Sequence, residues 1–195
     1  MAKQYKDPAK VMLTNVRISY ANIWQPRSVN GSEPRYSLSA IISKDNAELL
    51  GAVQRAVGAA AEAGKTRRWN GTIPDHLIMP LHDGDEERPD DESYAGAMFL
   101  NARSSEPPQI VDRHVQKIED PMDVYSGCYC NVTVTFFPYS SEDGNGIGVG
   151  LGNIQKVRDG EHLTGKASAE NDFDALDEGT ESDSQDNPFE KPDFI

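Results

Sequence analysis

The 195-residue chain is short of several things, and each shortage excludes a class of protein. It has two cysteines, Cys128 and Cys130, two residues apart on what reads as one strand. Side chains so placed share a face but make a poor mutual disulfide. A disulfide-built secreted module is therefore excluded, and a reducing cytoplasm is the simplest setting. No stretch approaches the roughly 18 consecutive apolar residues of a membrane span. The first residues, MAKQYKDPAK, lack the apolar core of a secretory signal. Metal-ligand spacing is missing too. His82, Asp83 and Asp85 come nearest, within HDGDEERPDDE at 82–92, but Pro80, Gly84 and Pro89 mark that stretch as a solvated loop. No metal and no cofactor are expected. Positive charge is also scarce: 19 Lys and Arg against 32 Asp and Glu leave a net −13. Taken as one number, that argues against a nucleic-acid partner.

The charge is not spread evenly. Residues 168–195 hold ten acids and one base, Lys191, so they carry −9 and leave −4 on residues 1–167. Such a polar, acidic segment buries too little apolar surface to order itself, which predicts a disordered tail after a folded body. The tail still ends on apolar residues, Phe189 in Asn187-Pro188-Phe189 and then Asp193-Phe194-Ile195. Apolar residues there have no solubility role, so Phe189, Asp193, Phe194 and Ile195 read as a docking peptide for a protein partner.

The body reads as mainly β. Residues 11–20 and 35–43 have strand patterns, the second placing Tyr36, Leu38, Ala40 and Ile42 on one face. Asp45 is the expected cap of a helix of about 18 residues, with Leu49, Val53, Ala56, Val57 and Ala60 on one stripe and Gly64 ending it. Strands follow at 97–104, briefly at 109–112, and at length over 125–139 and 145–157. Within 97–104, Met98, Leu100 and Ala102 face inward and Phe99, Asn101 and Arg103 outward. Five strands, one inserted helix and long loops predict an OB-like five-stranded Greek-key barrel. A two-layer α+β sandwich is the alternative.

The last two strands carry an unusual pattern. Glycines stand at 144, 146, 148, 150 and 152, so one face of that strand has no side chains, while Ile147, Val149 and Leu151 form the other. Matching core faces pairs 136 with 147, 134 with 149 and 132 with 151. The bare strip then lies beside Tyr129, Asn131, Thr133, Thr135 and Phe137. Glycine inside strands marks close approach of a ligand or another backbone. A close internal crossing, a nucleic-acid platform and a self-association face all remain open, and a homodimer is a further partner class.

Rings and cations recur together elsewhere: Trp24 near Arg27, Arg67-Arg68-Trp69, Phe99 with Arg103, and Arg35 leading its strand. Bases stack on rings and cations follow phosphates, which is the chemistry of single-strand binding. On residue type alone, the candidates are Trp24, Arg27, Arg35, Arg67, Arg68, Trp69, Phe99, Arg103, Tyr125, Tyr129 and Tyr139. Tyr125 fits a core position equally well.

The motif order MPLHDGD at 79–85, YAGAMFLNARS at 94–104, PQIVD at 108–112, DVYSGCY at 123–129, FFPY at 136–139 and GIGVGLGNIQKVRDGEHL at 146–163 resembles the single-stranded-DNA-binding proteins of tailed bacteriophages. The resemblance implies an OB-type barrel, sequence-tolerant single-stranded-DNA binding, no catalysis and no metal. It also implies that an acidic tail with a near-terminal aromatic recruits phage or host replication and recombination proteins. Two rivals come from other classes. An acidic DNA mimic would spread its acid over the folded body, which carries only −4. A metal-dependent nuclease built on Asp83 and Asp85 would need paired carboxylates on rigid elements.

Overall fold

A computed structural model describes residues 5–28 and 31–163. The tail residues Phe189, Asp193, Phe194 and Ile195 lie outside the described residues. Among the described residues there are seven strands: β1 (Lys10–Arg27), β2 (Arg35–Ser43), β3 (His82–Asp83), β4 (Ala97–Ser104), β5 (Ile110–Val111), β6 (Tyr129–Ser141) and β7 (Gly144–Arg158). Helix α1 spans Ala47–Arg67 and a single turn, α2, spans Gly84–Glu87. The sheet runs β3-β4-β2-β1-β6-β7-β5, and β4 also pairs in parallel with β7 at Arg103↔Gly150. That pairing closes β1, β2, β4, β7 and β6 into the five-stranded barrel expected for an OB fold.

Closure needs β1 to bend, because its 18 residues pair with β6 at one end and β2 at the other. Two irregularities supply the bend, between Leu13 and Val16 and between Ser19 and Asn22. Asn15 (φ 50°) and Tyr20 (φ 47°) sit in them with left-handed backbone. An extra residue on one strand raises the local twist, which is how a short strand set curls shut. Leu13, Val16, Ile18, Leu38, Ala40, Ile42, Leu100, Ala102, Val132, Val134 and Phe136 fill the interior, all at most 3% exposed.

Helix α1 packs on β6 and β1 with Leu49, Val53, Ala56, Val57 and Ala60 buried. Its cap is Asn46, whose side chain accepts from the Leu49 amide at 3.1 Å, one residue beyond the expected Asp45. Gly64 does not end the helix as expected. A Cβ there would stand 2.6 Å from Trp69 Cζ3 and 2.7 Å from Pro138 Cβ, so this glycine allows the helix to approach β6.

The β6–β7 register also differs from expectation. Phe136 pairs with Val149 and Val134 with Leu151, a shift of two residues, around the two-residue turn Glu142–Asp143. The core faces still match, because a shift of two keeps every side chain on its own side. The stretch 82–92, expected as a solvated loop, is structured. β3 pairs with β4, α2 follows, and a 3-10 turn at Glu92–Tyr94 leads back into β4. Just before it, Ile78 pairs with β7: its amide donates to Asn145 O at 2.9 Å, and its carbonyl accepts from Ile147 N at 3.0 Å. Residues 78–83 thus run between β7 and β4 where those strands diverge.

Candidate nucleic-acid interface

The outer face of β6 is the most continuous combination of rings, polar groups and cations on the barrel. Alternation along the strand presents Tyr129, Asn131, Thr133, Thr135, Phe137 and Tyr139 outward, while Cys130, Val132, Val134 and Phe136 are buried. Rings stand at both ends and small polar side chains between. Residues 129 and 137 are eight apart, about 26 Å at strand rise.

The flanking strands supply cations. On β1, Lys10 pairs across to Thr135 and Arg17 to Tyr129. On the other side, Arg158 of β7 pairs with Tyr129, and Gly150 links Thr135 to Arg103 of β4. Arg27 and Arg35 pair where β1 and β2 end, and Arg35 shares the outer face of β2 with Ser37, the partner of Arg103. Arg27, Arg35 and Arg103 are all exposed. Glu33 approaches Arg35 to 3.6 Å, but at 86% exposure this pair is weak.

The glycine strip explains how the rings are held. A Cβ at Gly148 would lie 2.5 Å from Phe137 Cζ, and one at Gly146 would lie 2.7 Å from the Tyr139 hydroxyl and 2.8 Å from Ile78 O. Thr133 fills the space over Gly152 in the same way. The bare backbone of β7 is therefore a seat for β6 side chains and for the crossing Ile78 backbone, which is the internal-crossing alternative. Phe137 lies over Gly148 and remains 47% exposed. Sequence reasoning did not single out Phe137 as a contact residue, although its outward position next to the strip was legible.

At the other end of β6, Tyr129 lies between two cations. The Arg158 guanidinium stands 3.3 Å from the ring centroid and that of Arg17 stands 5.9 Å away. Arg17 also donates to Glu161 O at 2.9 Å. Tyr125 is a lock for the segment after β7. Its hydroxyl donates to Gly160 O at 3.0 Å and reaches Asp159 at 3.2 Å, and its ring stacks on His162 at 3.7 Å. Burial, with Cys128 and Asp159 adding, pushes the phenol up to about 12.

Three candidate rings are corrected by their surroundings. Phe99 faces outward as expected but is 2% exposed, covered by Tyr94 edge-on, by His82 stacked at 5.1 Å and by Arg88 at 4.8 Å. The covering residues come from 82–94, a segment whose packing the strand pattern cannot reveal. Trp69 is 8% exposed and packs over Gly64 at the end of α1. Trp24 is half-buried against the core, its Nε1 donating to Val124 O at 2.9 Å. Arg67 and Arg68 are exposed at the C-terminal end of α1, and neither belongs to a strand that pairs with β6.

Asp83 and Asp85 are occupied. Lys44 Nζ reaches them at 2.6 and 2.7 Å, and its hydrogen bonds hold both carboxyls below the usual range. A cation there would have to displace a lysine. Among the described residues, no group of three or more His, Cys, Asp or Glu is arranged to hold a metal.

Barrel topology is that of an OB-type fold, with one outer strand presenting rings, small polar groups and flanking cations. The family described as Enterobacter phage Enc34, ssDNA-binding protein, matches residues 9–186, and the chain belongs to it. Protein p50 of Acyrthosiphon pisum secondary endosymbiont phage 1 is 29% identical over 176 residues, covering 86% of this chain and 94% of that protein. Among solved structures, the single-stranded DNA-binding protein of bacteriophage Enc34 in complex with ssDNA superposes with a TM-score of 0.72 at 22% identity. It covers 84% of this chain and 97% of that one. The single-stranded DNA binding protein gp2.5 of bacteriophage T7 gives a TM-score of 0.56 at 15% identity, covering 89% and 99%.

Proposed function

We propose that this protein binds single-stranded DNA without sequence preference along the outer face of β6, in the cytoplasm of a phage-infected bacterium, during replication or recombination. The observation that carries the reading is the uninterrupted outward row from Tyr129 to Tyr139, flanked by Lys10, Arg17, Arg103 and Arg158. Family membership supports the same ligand. Phe137 and Tyr139 offer rings for base stacking. At the other end a base stacks on the exposed guanidinium of Arg158, which itself lies on Tyr129. Thr133, Thr135 and Asn131 accept any base or sugar edge between them, which suits sequence tolerance. Lys10, Arg27, Arg35 and Arg103 follow the phosphates.

Residues 168–195 have two roles in this reading. Their −9 charge competes with DNA for the cationic rows, since a tethered polyanion has a high effective concentration. Phe189, Asp193, Phe194 and Ile195 recruit a replication or recombination partner. The folded binding unit is taken as residues 1–167.

The test is fluorescence anisotropy of labelled oligo-dT with the full chain. Four phosphate contacts predict a log–log salt slope of about −3. No binding to any single strand at low salt would sink the proposal. Truncation after Ala167 is expected to tighten binding, most at low salt. Unchanged affinity between about 20 and 300 mM salt would remove the competition but leave the β6 interface standing.

A further inference from the structure

The hairpin after β4 places a β-branched residue where its turn demands left-handed backbone, the Val115 amide donating to Asp112 O at 3.1 Å and the Asp112 amide to Gln116 O at 2.8 Å. β5 runs parallel to β7, with Ile110 opposite Ile154 and Val111 opposite Gln155, and the chain then turns back so that Lys117 pairs with Val111. Asp112 builds the turn: its Oδ1 accepts from the amides of His114 and Gln116, both at 2.8 Å. At the tip stands Val115, with φ 63° and 71% exposure. A β-branched residue is a genuine outlier in the left-handed region, where Gly or Asn would sit at less cost. Burial does not offset that strain, because the side chain is in solvent. Strain kept at an exposed tip points to a contact made in a complex.

Two further observations place that contact. Arg113 is exposed and has no ion-pair partner among the described residues. Lys117 reaches only Glu119, in a pair 76% exposed at both ends. The base of the turn is tied to the β6 face by a hydrogen-bond chain. Gln155 donates to Asp112 O at 3.2 Å, Asn131 donates to Gln155 at 2.9 Å, and Asn131 accepts from the Asn15 amide at 2.9 Å. Because β5 is parallel to β7, the turn heads toward the Arg158 end of β7, where Tyr129 and Arg17 stand.

We infer that residues 112–117 form a finger that closes over the single strand at the Tyr129 end of β6. Val115 wedges against a base step, and Arg113 takes a phosphate that the barrel strands do not reach. Apolar side chains pressed between bases are a recurrent device of DNA-binding proteins. The inference rests on β6 being the DNA face.

The experiment compares the full chain with Val115→Gly, Arg113→Gln and Phe137→Ala on labelled oligo-dT, with melting curves alongside. Val115→Gly relieves the backbone strain, so it is expected to melt no lower than wild type while binding three- to tenfold more weakly. Arg113→Gln is expected to flatten the salt slope by about 0.7. If wild type binds and Phe137→Ala weakens it, but Val115→Gly binds as tightly as wild type, the finger is overturned and the β6 reading stands. Arg113→Gln with unchanged affinity and slope overturns the finger likewise. Wild type failing to bind at low salt overturns both.

Discussion

Gly148→Ala asks whether the bare strip of β7 exists to seat Phe137. An ideal Cβ at 148 stands 2.5 Å from Phe137 Cζ, 2.7 Å from Cε2 and 3.1 Å from Cε1. Those atoms are the far end of a side chain that is 47% exposed, so the ring swings off while the sheet holds. Two stability terms oppose each other. Alanine in a strand gains about 0.5–1 kcal/mol over glycine. Unseating a half-buried ring forfeits about half of the ~1.5–3 kcal/mol of full burial. They nearly cancel, so the melting temperature shifts by about 4 °C at most. Binding has no such compensation: one lost base stack is worth about 1–3 kcal/mol. That weakens Kd by about five- to 150-fold. Gly150→Ala is the control, because its Cβ would meet Thr135 O at 3.4 Å and Phe137 Cε1 at 3.9 Å, ordinary contacts. Anisotropy titration of oligo-dT with the three proteins decides it. Gly148→Ala binding as tightly as Gly150→Ala would refute the argument.

Two other expectations concern the segments that frame the face. Asp83 and Asp85 are held below the ordinary carboxylate value chiefly by hydrogen bonds from Lys44. A depressed folded value stabilises above the unfolded value near 4 and is lost as pH falls through the folded one. The melting-temperature advantage of wild type over Lys44→Met is therefore full at neutral pH and shrinks toward zero in acid; an advantage that is constant from about pH 7 to 3 would contradict the assignment. Gly127 has φ 120°, and a Cβ there would run into the Glu161 carbonyl oxygen. Gly127→Ala is expected to cost about 2–4 kcal/mol and lower the melting temperature by more than about 4 °C, as read by calorimetry. A shift below about 1 °C would show that residues 159–163 do not pack on Gly127 in solution.

The parts of the fold that repeat locally were legible. Alternation over 35–43 and 97–104 gives the faces of β2 and β4, and the apolar stripe gives α1. What alternation cannot give is register, because shifts of two residues leave every face intact. The β6–β7 pairing shows this: Phe136 meets Val149, and the choice belongs to the turn at Glu142–Asp143 with Gly144 at φ 132°. Likewise, the bends that let β1 serve two neighbours fall at Asn15 and Tyr20, where nothing in the residue types announces left-handed backbone for a tyrosine.

The same division between local and distant information governs the site. Facing outward is a local property, and Phe99, Arg103, Tyr129 and Tyr139 all lie on outer faces. Being available is not local. Phe99 is closed off by Arg88, Tyr94 and His82, which follow the helix and return across β4. Phe137 has an equally plain outward position, yet Gly148 opposite it supplies the seat, and among the described residues it stays 47% exposed. For a ring on a barrel wall, the informative signal is therefore its cross-strand partner. An aromatic opposite glycine can lie over bare backbone and still show a face to solvent. By that rule Phe137 and Tyr139, opposite Gly148 and Gly146, are the pair we propose for stacking, while the two tryptophans that drew attention by residue type pack against the core.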